Sequence, residues 1–344
     1  MPESQQKIFN IPYLQYDNYW LNLFSKSGAL NSDIANKLQG IGYHKEKDGR
    51  WVAQTTHKWA ELWAKTYSIL QKNQLTSAIE VALTTQEEIH NDEELKKASS
   101  IQNIAENLWL GEALKEDRIM CYLQPIVTDK KQRFGFESFV RASSADGKII
   151  NGGDIVKASK ILNIEHIIDR HLHVQAVQTF ASGKCLGFLF VNFFPGFIHR
   201  PSVYLEGLGQ AAKMFSIIPK NLVLEFTRCE SKHDLKHVKS VCEYALSQGY
   251  SVALDDITTF DNAKKLIQEI RPDFVKLDIQ ELGGISNPDT RTTINQINTL
   301  AKNTGCTVIA EGVETEEEYN ELKHLNITLF QGYYFAPPSP IDKL

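Results

Sequence analysis

SVALDDITTFDNAKKLIQEIRPDFVKLD, residues 251–278, is the stretch whose reading decides the fold. Ser251 and three apolar residues, Val252 to Leu254, run without a break into two adjacent aspartates, Asp255 and Asp256. A helix-length segment follows, and then a second apolar strand ending in Lys276 and Asp278. A buried strand that ends in charge is costly unless the charge meets a metal, a cation or hydrogen-bond donors. The pattern recurs: apolar runs end in Glu137 (FGFESFVR), Asn192 (LGFLFVN), Glu225 (NLVLEF), Glu311 (TVIAE) and Gln331 (TLFQGYY). Polar residues at the C-terminal ends of successive parallel strands are where a (β/α)8 barrel keeps its chemistry. The pattern predicts a TIM-like α/β barrel with a metal-carboxylate site at its mouth.

Working outward, eight candidate strands follow Tyr122: YLQPIV, FGFESFVR, LGFLFVN, LVLEF, SVALDD, DFVKL, TVIAE and TLFQGYY. Helical patterns separate all but the first two. Residues 128–133 are too few for a crossover helix, so the first strand should run antiparallel to the second. Thr315 and Glu318 have the spacing of a capping box and should open the last long helix, and Gly249 should end the helix before the aspartate strand. The acidic run after Glu314 reads as a solvated face near a helix N-terminus.

The 344 residues are 42% hydrophobic and 23% charged, as in an ordinary soluble globular protein. A formal net charge of -5 gives no global reason to expect nucleic acid or membrane binding. The five cysteines, at 121, 185, 229, 242 and 306, form no C-x-x-C pair, which fits reduced thiols in a cytoplasmic protein. No apolar run approaches a bilayer span, and the N-terminus lacks the basic head and apolar stretch of a signal peptide.

Residues 1–85 form a distinct N-terminal unit holding Trp20, Trp51, Trp59 and Trp63. Asn31 can cap a short helix, and Asp48-Gly49 is a turn between two short extended pieces. With Lys45, Lys47 and Arg50 around that turn, one reading is a winged-helix-like, DNA-binding module. The other is a small, mainly helical sensor or dimerisation domain whose tryptophans fill its own core. Residues 86–118 read as a helical linker, with Ile101, Ile104 and Leu108 at helical spacing and Leu110 and Leu114 beyond. That helix either pairs with its twin in a homodimer or packs on the flank of the barrel, which occupies 119–344. His166, His171 and His173 share a helix without an i, i+4 pair and read as structural.

In order, the chain carries Tyr122-x-Gln124-Pro125-Ile126, Glu137-Ser-Phe-Val-Arg141, Val191-Asn192-x-x-Pro195 and Leu224-Glu225-x-Thr227. Asp255-Asp256, Lys276-x-Asp278, Ala310-Glu311-Gly312-Val313-Glu314 and Gln331-Gly332-Tyr333 follow. By these segments, residues 105–344 resemble the EAL domain of bacterial cyclic di-GMP phosphodiesterases. The resemblance implies metal-dependent hydrolysis of cyclic di-GMP to linear pGpG, regulated by the N-terminal unit. Carboxylate and amide oxygens without a His/Cys cluster favour a hard ion, Mg²⁺ or Mn²⁺, and a two-ion site suits phosphodiester cleavage.

By the same resemblance Glu137, Asn192, Glu225 and Asp255 hold one ion, and Asp255 bridges to a second held with Asp256 and assisted by Glu311. Glu137, Glu311 and Lys276 carry catalysis, with Lys276 beside the attacking water as base or orienting group. Gln124, Asp278, Glu314 and Gln331 contact the nucleotide. Arg141, four residues after Glu137 and so on the same strand face, has a fork suited to phosphate.

The family pattern is broken in three places. Ser138-Phe139-Val140 stands where the family has Ala-Leu-Leu. The family's Asp-Asp-Phe-Gly-Thr-Gly becomes Asp255-Asp256-Ile257-Thr258-Thr259-Phe260, whose β-branched residues resist the positive φ that glycine allows. Arg228 replaces a second glutamate that anchors this loop, with Glu230 nearby. The alternative function is therefore a weak or inactive domain that binds cyclic di-GMP as a receptor and controls the N-terminal unit.

Overall fold

The computed structural model describes residues 13–14, 16–25, 30–85, 95–193, 198, 200–227 and 235–344. Residues 86–94, Pro195, Arg228 and Glu230, on which several expectations fall, lie outside them. The chain divides into two compact units, Met1–Ile119 with Ala142–Glu165, and Met120–Arg141 with His166–Leu344. No helix among the described residues is long and apolar enough to cross a membrane.

The N-terminal unit combines its helices with a β-sheet. Its elements are β1 (Asn18–Ser25), α1 (Ser32–Gly40), β2 (His44–Lys45), β3 (Trp51–Thr56), α2 (Trp59–Lys72), β4 (Ile79–Thr84) and β5 (Lys96–Lys97). They build a five-stranded sheet in the order β2-β3-β1-β4-β5, antiparallel at every pair. The βαββαβ succession with this order is the ferredoxin-like split βαβ arrangement, which replaces the winged-helix-like reading. The Asp48-Gly49 hairpin is present, with Gly49 at φ +94. Its arginine faces inward, however: Arg50 Nε donates to Asp48 Oδ2 at 2.8 Å and an Nη donates to Asn22 Oδ1 at 2.9 Å.

Trp51, Trp59 and Trp63 fill the core of this unit, as do Leu21 and Leu23. The apolar stripe expected of a linker helix is buried here too. It lies on α3 (Ala98–Asn107) and α4 (Trp109–Lys115), with Ile101, Ile104, Leu108, Leu110 and Leu114 all buried. α3 packs on α2 and β4, so the stripe is buried within the chain. β8 (Ile149–Asn151) and α5 (Gly152–Leu162) cluster with this unit although they fall inside the 119–344 span.

The second unit holds the expected barrel. Its strands are β6 (Ile119–Thr128), β7 (Arg133–Ser143), β9 (Phe188–Phe193), β10 (Leu222–Phe226), β11 (Ser251–Leu254), β12 (Phe274–Asp278), β13 (Thr307–Glu311) and β14 (Leu329–Phe330). The order β6-β14-β13-β12-β11-β10-β9-β7 closes through a β6–β7 pairing. β14 pairs with β6 antiparallel, whereas β7, β9, β10, β11, β12, β13 and β14 are parallel to their neighbours, so the first strand is reversed as expected. Between strands run α6 (Glu165–Ser182), α7 (Pro201–Met214), α8 (Leu235–Ser247), α9 (Phe260–Ile270), α10 (Pro288–Thr304) and α11 (Glu316–His324).

The strands are nearly continuous apolar runs because a barrel strand is covered on both faces. Leu222, Leu224 and Phe226 of β10 pack outward on the helices while Val223 packs inward. The loops have their expected punctuation. Thr315 and Glu318 make both halves of the capping box of α11, and Gly249 follows α8 at φ +86. After β14 the chain passes so close to Val313 that a Cβ at Gly332 would lie 2.0 Å from the Val313 carbonyl oxygen.

Gly332→Ala is expected to cost about 1–3 kcal/mol through this clash with immobile backbone. Thermal unfolding measures it. An unchanged melting temperature would show that the β14 loop has slack that the packing denies.

Candidate functional site

The strand register makes the site. Side chains alternate along a strand, so the polar residue facing into the barrel lies two positions beyond an apolar one on the barrel floor. Phe190 is followed by Asn192, Val223 by Glu225, Ala253 by Asp255, Phe274 by Lys276, Ile309 by Glu311 and Leu329 by Gln331. β6 runs the other way, and accordingly its mouth residue, Gln124, comes two positions before its floor residue Ile126. Register pairing sets Glu225 beside Asn192.

At the centre of this layer is Lys276, 1% exposed. Its ammonium lies 2.7 Å from Glu137 Oε2 and 2.8 Å from Glu225 Oε1, and it also pairs with Glu311. Glu137 is fixed from two more sides: Asn192 Nδ2 donates to its Oε1 at 3.0 Å and Gln331 Nε2 donates to its Oε2 at 2.8 Å. Gln331 Nε2 also reaches Gln124 Oε1 at 3.0 Å, and Gln124 in turn donates to the Ala336 carbonyl at 2.9 Å.

Four carboxylates thus surround one ammonium. Burial alone would lower the Lys276 pKa, yet Glu137, Glu225, Glu311 and Asp255 together hold it well above the usual lysine value. In this arrangement Lys276 is held as a cation by its carboxylate partners, which suits the orienting role. For Glu137 burial acts upward, but Lys276 and the hydrogen bonds from Lys276, Gln331 and Asn192 hold the carboxyl below its ordinary value. Burial pushes Glu225 well up, with Glu137 adding to it. Glu311 and Asp255 are also raised, chiefly by burial, against the pull of Lys276.

Above this layer opens a pocket of about 520 Å³. It is lined by Glu137, Asn192, Asp255 and Glu311 of the expected metal and catalytic sets, and by Gln124, Arg141, Asp278, Glu314 and Gln331 of the expected ligand set. Glu225 and Lys276 are buried beneath it. Asp256 does not line it: after Asp255 it is one position out of phase and takes φ +56. It is not brought to the mouth with its neighbour. The positive φ falls on an aspartate, which tolerates it, while Ile257 is buried and Thr259 caps α9 by accepting from Asn262 N. The rebuilt loop thus avoids the conformation its β-branched residues resist.

Gln124 and Gln331 are 5% and 3% exposed, so their amides serve Glu137 and the loop after β14 more than they face a ligand. Asp278 Oδ1 accepts from the amides of Gln280 and Glu281 at 2.8 and 3.1 Å, which orders the loop after β12. Six further lining residues were not among the expected site residues: Phe139, Gln280, Gly312, Gly332, Tyr333 and Pro338. Phe139 was within reach, since period-two alternation from Glu137 to Arg141 passes through it. Tyr333 is 68% exposed, an aromatic face beside the pocket. Gln280 bridges two loops, donating to the Gly312 carbonyl at 3.1 Å and to Glu318 Oε1 at 2.9 Å, a contact no local pattern announces.

His173, on α6, reaches the backbone of a candidate site residue. Its Nε2 is 3.0 Å from the Asn192 carbonyl oxygen. Burial lowers its pKa to about 4, so the ring is neutral near pH 7.

Among the described residues no three His, Cys, Asp or Glu side chains stand ready-made around a metal position; the carboxylates converge on Lys276 instead. The donor set nonetheless fits a hard divalent ion. All donors are oxygen, negative charge exceeds the one ammonium, and Glu225 Oε2 and Gln331 Oε1 are buried without a hydrogen-bond partner.

Fold and site together define an α/β barrel with an acidic mouth pocket. The chain belongs to the EAL domain family, whose sequence profile matches residues 107–338. It is similar to the probable cyclic di-GMP phosphodiesterase PdeG of Escherichia coli K12, with 26% identity over 235 residues, 67% of this chain and 46% of that protein. Among solved structures it is similar to a standalone EAL protein of Vibrio cholerae O395 in its c-di-GMP-bound form, at 25% identity and TM-score 0.56, over 64% of this chain and 92% of that one. It shares its fold with the Xanthomonas citri FimX EAL domain in complex with c-di-GMP, at 19% identity and TM-score 0.64, over 70% of this chain and 96% of that one. The chain spans less than half the length of the first curated relatives it matches.

Lys276→Met removes the ammonium and leaves its carboxylate partners buried without a counter-charge, at an expected cost of about 3–5 kcal/mol near neutral pH. Carboxyls whose folded pKa is raised bind more protons folded than unfolded, so stability should return as the pH falls toward 5. Melting temperatures at pH 7.5 and pH 5 decide this. A variant as stable as the parent at pH 7.5 would contradict the central role of Lys276.

Proposed function

We propose that this chain hydrolyses cyclic di-GMP to linear pGpG with divalent-cation assistance, in the pocket above Lys276. The observation that carries the reading is a mouth layer of four carboxylates with the amides of Asn192, Gln124 and Gln331, opening into a pocket that Arg141 also lines. Its volume is in the range of about 300–1,000 Å³ typical of small-molecule sites. The family and the named activities of its relatives support the same substrate class.

Glu137, Asn192, Glu225 and Asp255 would hold one Mg²⁺ or Mn²⁺, and Asp255 with Glu311 would serve a second. Bound divalent ions supply an activated water and compensate charge on the transferring phosphoryl group. The chain's own residues do the rest. Arg141, held by its bond to the Val140 carbonyl at 2.8 Å and lying over the Tyr122 ring, offers its remaining donors to a phosphate. Lys276, as a fixed cation beneath the pocket, would orient Glu137 and Glu311. Phe139 and Tyr333 give aromatic faces on which a purine can stack. We read the N-terminal unit as the regulator of this barrel.

One observation favours the receptor alternative, that the domain binds cyclic di-GMP without turning it over. Lys276 already neutralises part of the carboxylate set, and the loop after Asp255 is built on a threonine cap where glycines are usual in the family.

Purified protein incubated with cyclic di-GMP and Mg²⁺ or Mn²⁺ is expected to release pGpG on chromatography, and Glu137→Ala to abolish release. Arg141→Ala should weaken nucleotide binding roughly ten- to a hundredfold, the worth of charge-assisted bonds. Binding without turnover under both ions would eliminate the enzyme in favour of the receptor.

A further inference from the structure

We propose that His173 is a positioning residue for the candidate metal centre, acting through the main chain of Asn192. The inference rests on the reading of Asn192 and Glu137 as ligands. A carbonyl oxygen only accepts, so the Nε2 of His173, 3.0 Å from the Asn192 oxygen, carries the proton and donates it. Asn192 is one residue from the end of β9, past the last residue that pairs with β7. Its side chain donates to Glu137 Oε1 at 3.0 Å. One continuous path therefore runs from α6 to Glu137: imidazole, Asn192 backbone, Asn192 amide, carboxylate.

The imidazole is itself held against rotation. It stacks on Phe193 with ring centroids 3.9 Å apart and planes 10° apart, and the Tyr204 ring meets it edge-on at 5.8 Å. Asp169, one helical turn earlier, has Oδ1 3.5 Å from Nε2, too far to compete strongly with the carbonyl. His173 is 2% exposed, so solvent cannot take over its donor role. Side chains that orient metal ligands in this way typically govern affinity by about ten- to a hundredfold.

The test is Mn²⁺ binding by calorimetry on the full chain, with a melting temperature recorded for each variant. His173→Gln places an amide N–H where Nε2 stood. His173→Asn falls one bond short of the carbonyl, and His173→Phe keeps the stack but donates nothing. Affinity is expected to fall at least tenfold in the Asn and Phe variants and to stay within about threefold of the parent in the Gln variant. Should the Phe variant fail to fold, the Gln and Asn pair, alike in polarity and lost packing, still decides. Equal affinity in Gln and Asn, or parental affinity in Phe, would overturn the inference while Asn192→Ala still weakens binding. A parent that takes up no Mn²⁺, or an Asn192→Ala variant that binds as the parent does, would bring down the ligand reading and this inference with it.

Discussion

The ion cluster around Lys276 is the constraint on which the mouth of the barrel depends. An ammonium at 1% exposure can exist only with partners, and Glu137, Glu225 and Glu311 supply them. The converse also holds, since three carboxylates at this depth need the ammonium. Neither side of the pair is stable alone. Asp255 adds a fourth carboxyl to the cluster, against one lysine ammonium among the described residues. That imbalance gives the layer its capacity to take up further positive charge. The amides of Asn192 and Gln331 keep Glu137 in place meanwhile.

The barrel puts these groups together through a single geometrical rule. The parallel strands β9 to β14 read apolar on the floor and polar two residues later, and the reversed strand reads the same in the opposite direction. A one-residue slip in any strand would send its polar group into the helix layer, where Leu224, Leu254 and Leu277 now pack. Burial of apolar surface on both faces of the strands thus fixes the register, and the register fixes the site. Loops then finish the pocket: Gln280 and Glu318 tie the turn after β12 to the turn after β13, and Gly332 lets the chain after β14 lie against Val313.

Much of this was legible before the fold was known, for physical reasons. Strand-end carboxylates following VIAE or LVLE runs are conspicuous because burial makes unpaired charge expensive, and nearly all of them reach the mouth. Asp256 does not line the pocket with its neighbour, because adjacency in sequence is not adjacency on a strand face. The environment of Lys276 is set by carboxylates from other strands, which spacing alone cannot weigh. The N-terminal sheet escaped for a different reason. β1 buries Leu21 and Leu23 on one face and Asn22 on the other, so its hydrophobic alternation is blurred, while β2 and β5 are two residues long and carry no pattern. His173 looked like a core histidine because its partner is a backbone carbonyl, which sequence does not display.

The central claim is that the mouth layer of Glu137, Asn192, Glu225 and Asp255 is built to receive divalent cations beside Lys276. A crystal of the protein soaked in Mn²⁺, with diffraction recorded at the manganese absorption edge, tests it most directly. The account predicts an anomalous peak within bonding distance of oxygens from those four residues. A map without such a peak, with the carboxylates still closed on the Lys276 ammonium, would contradict it.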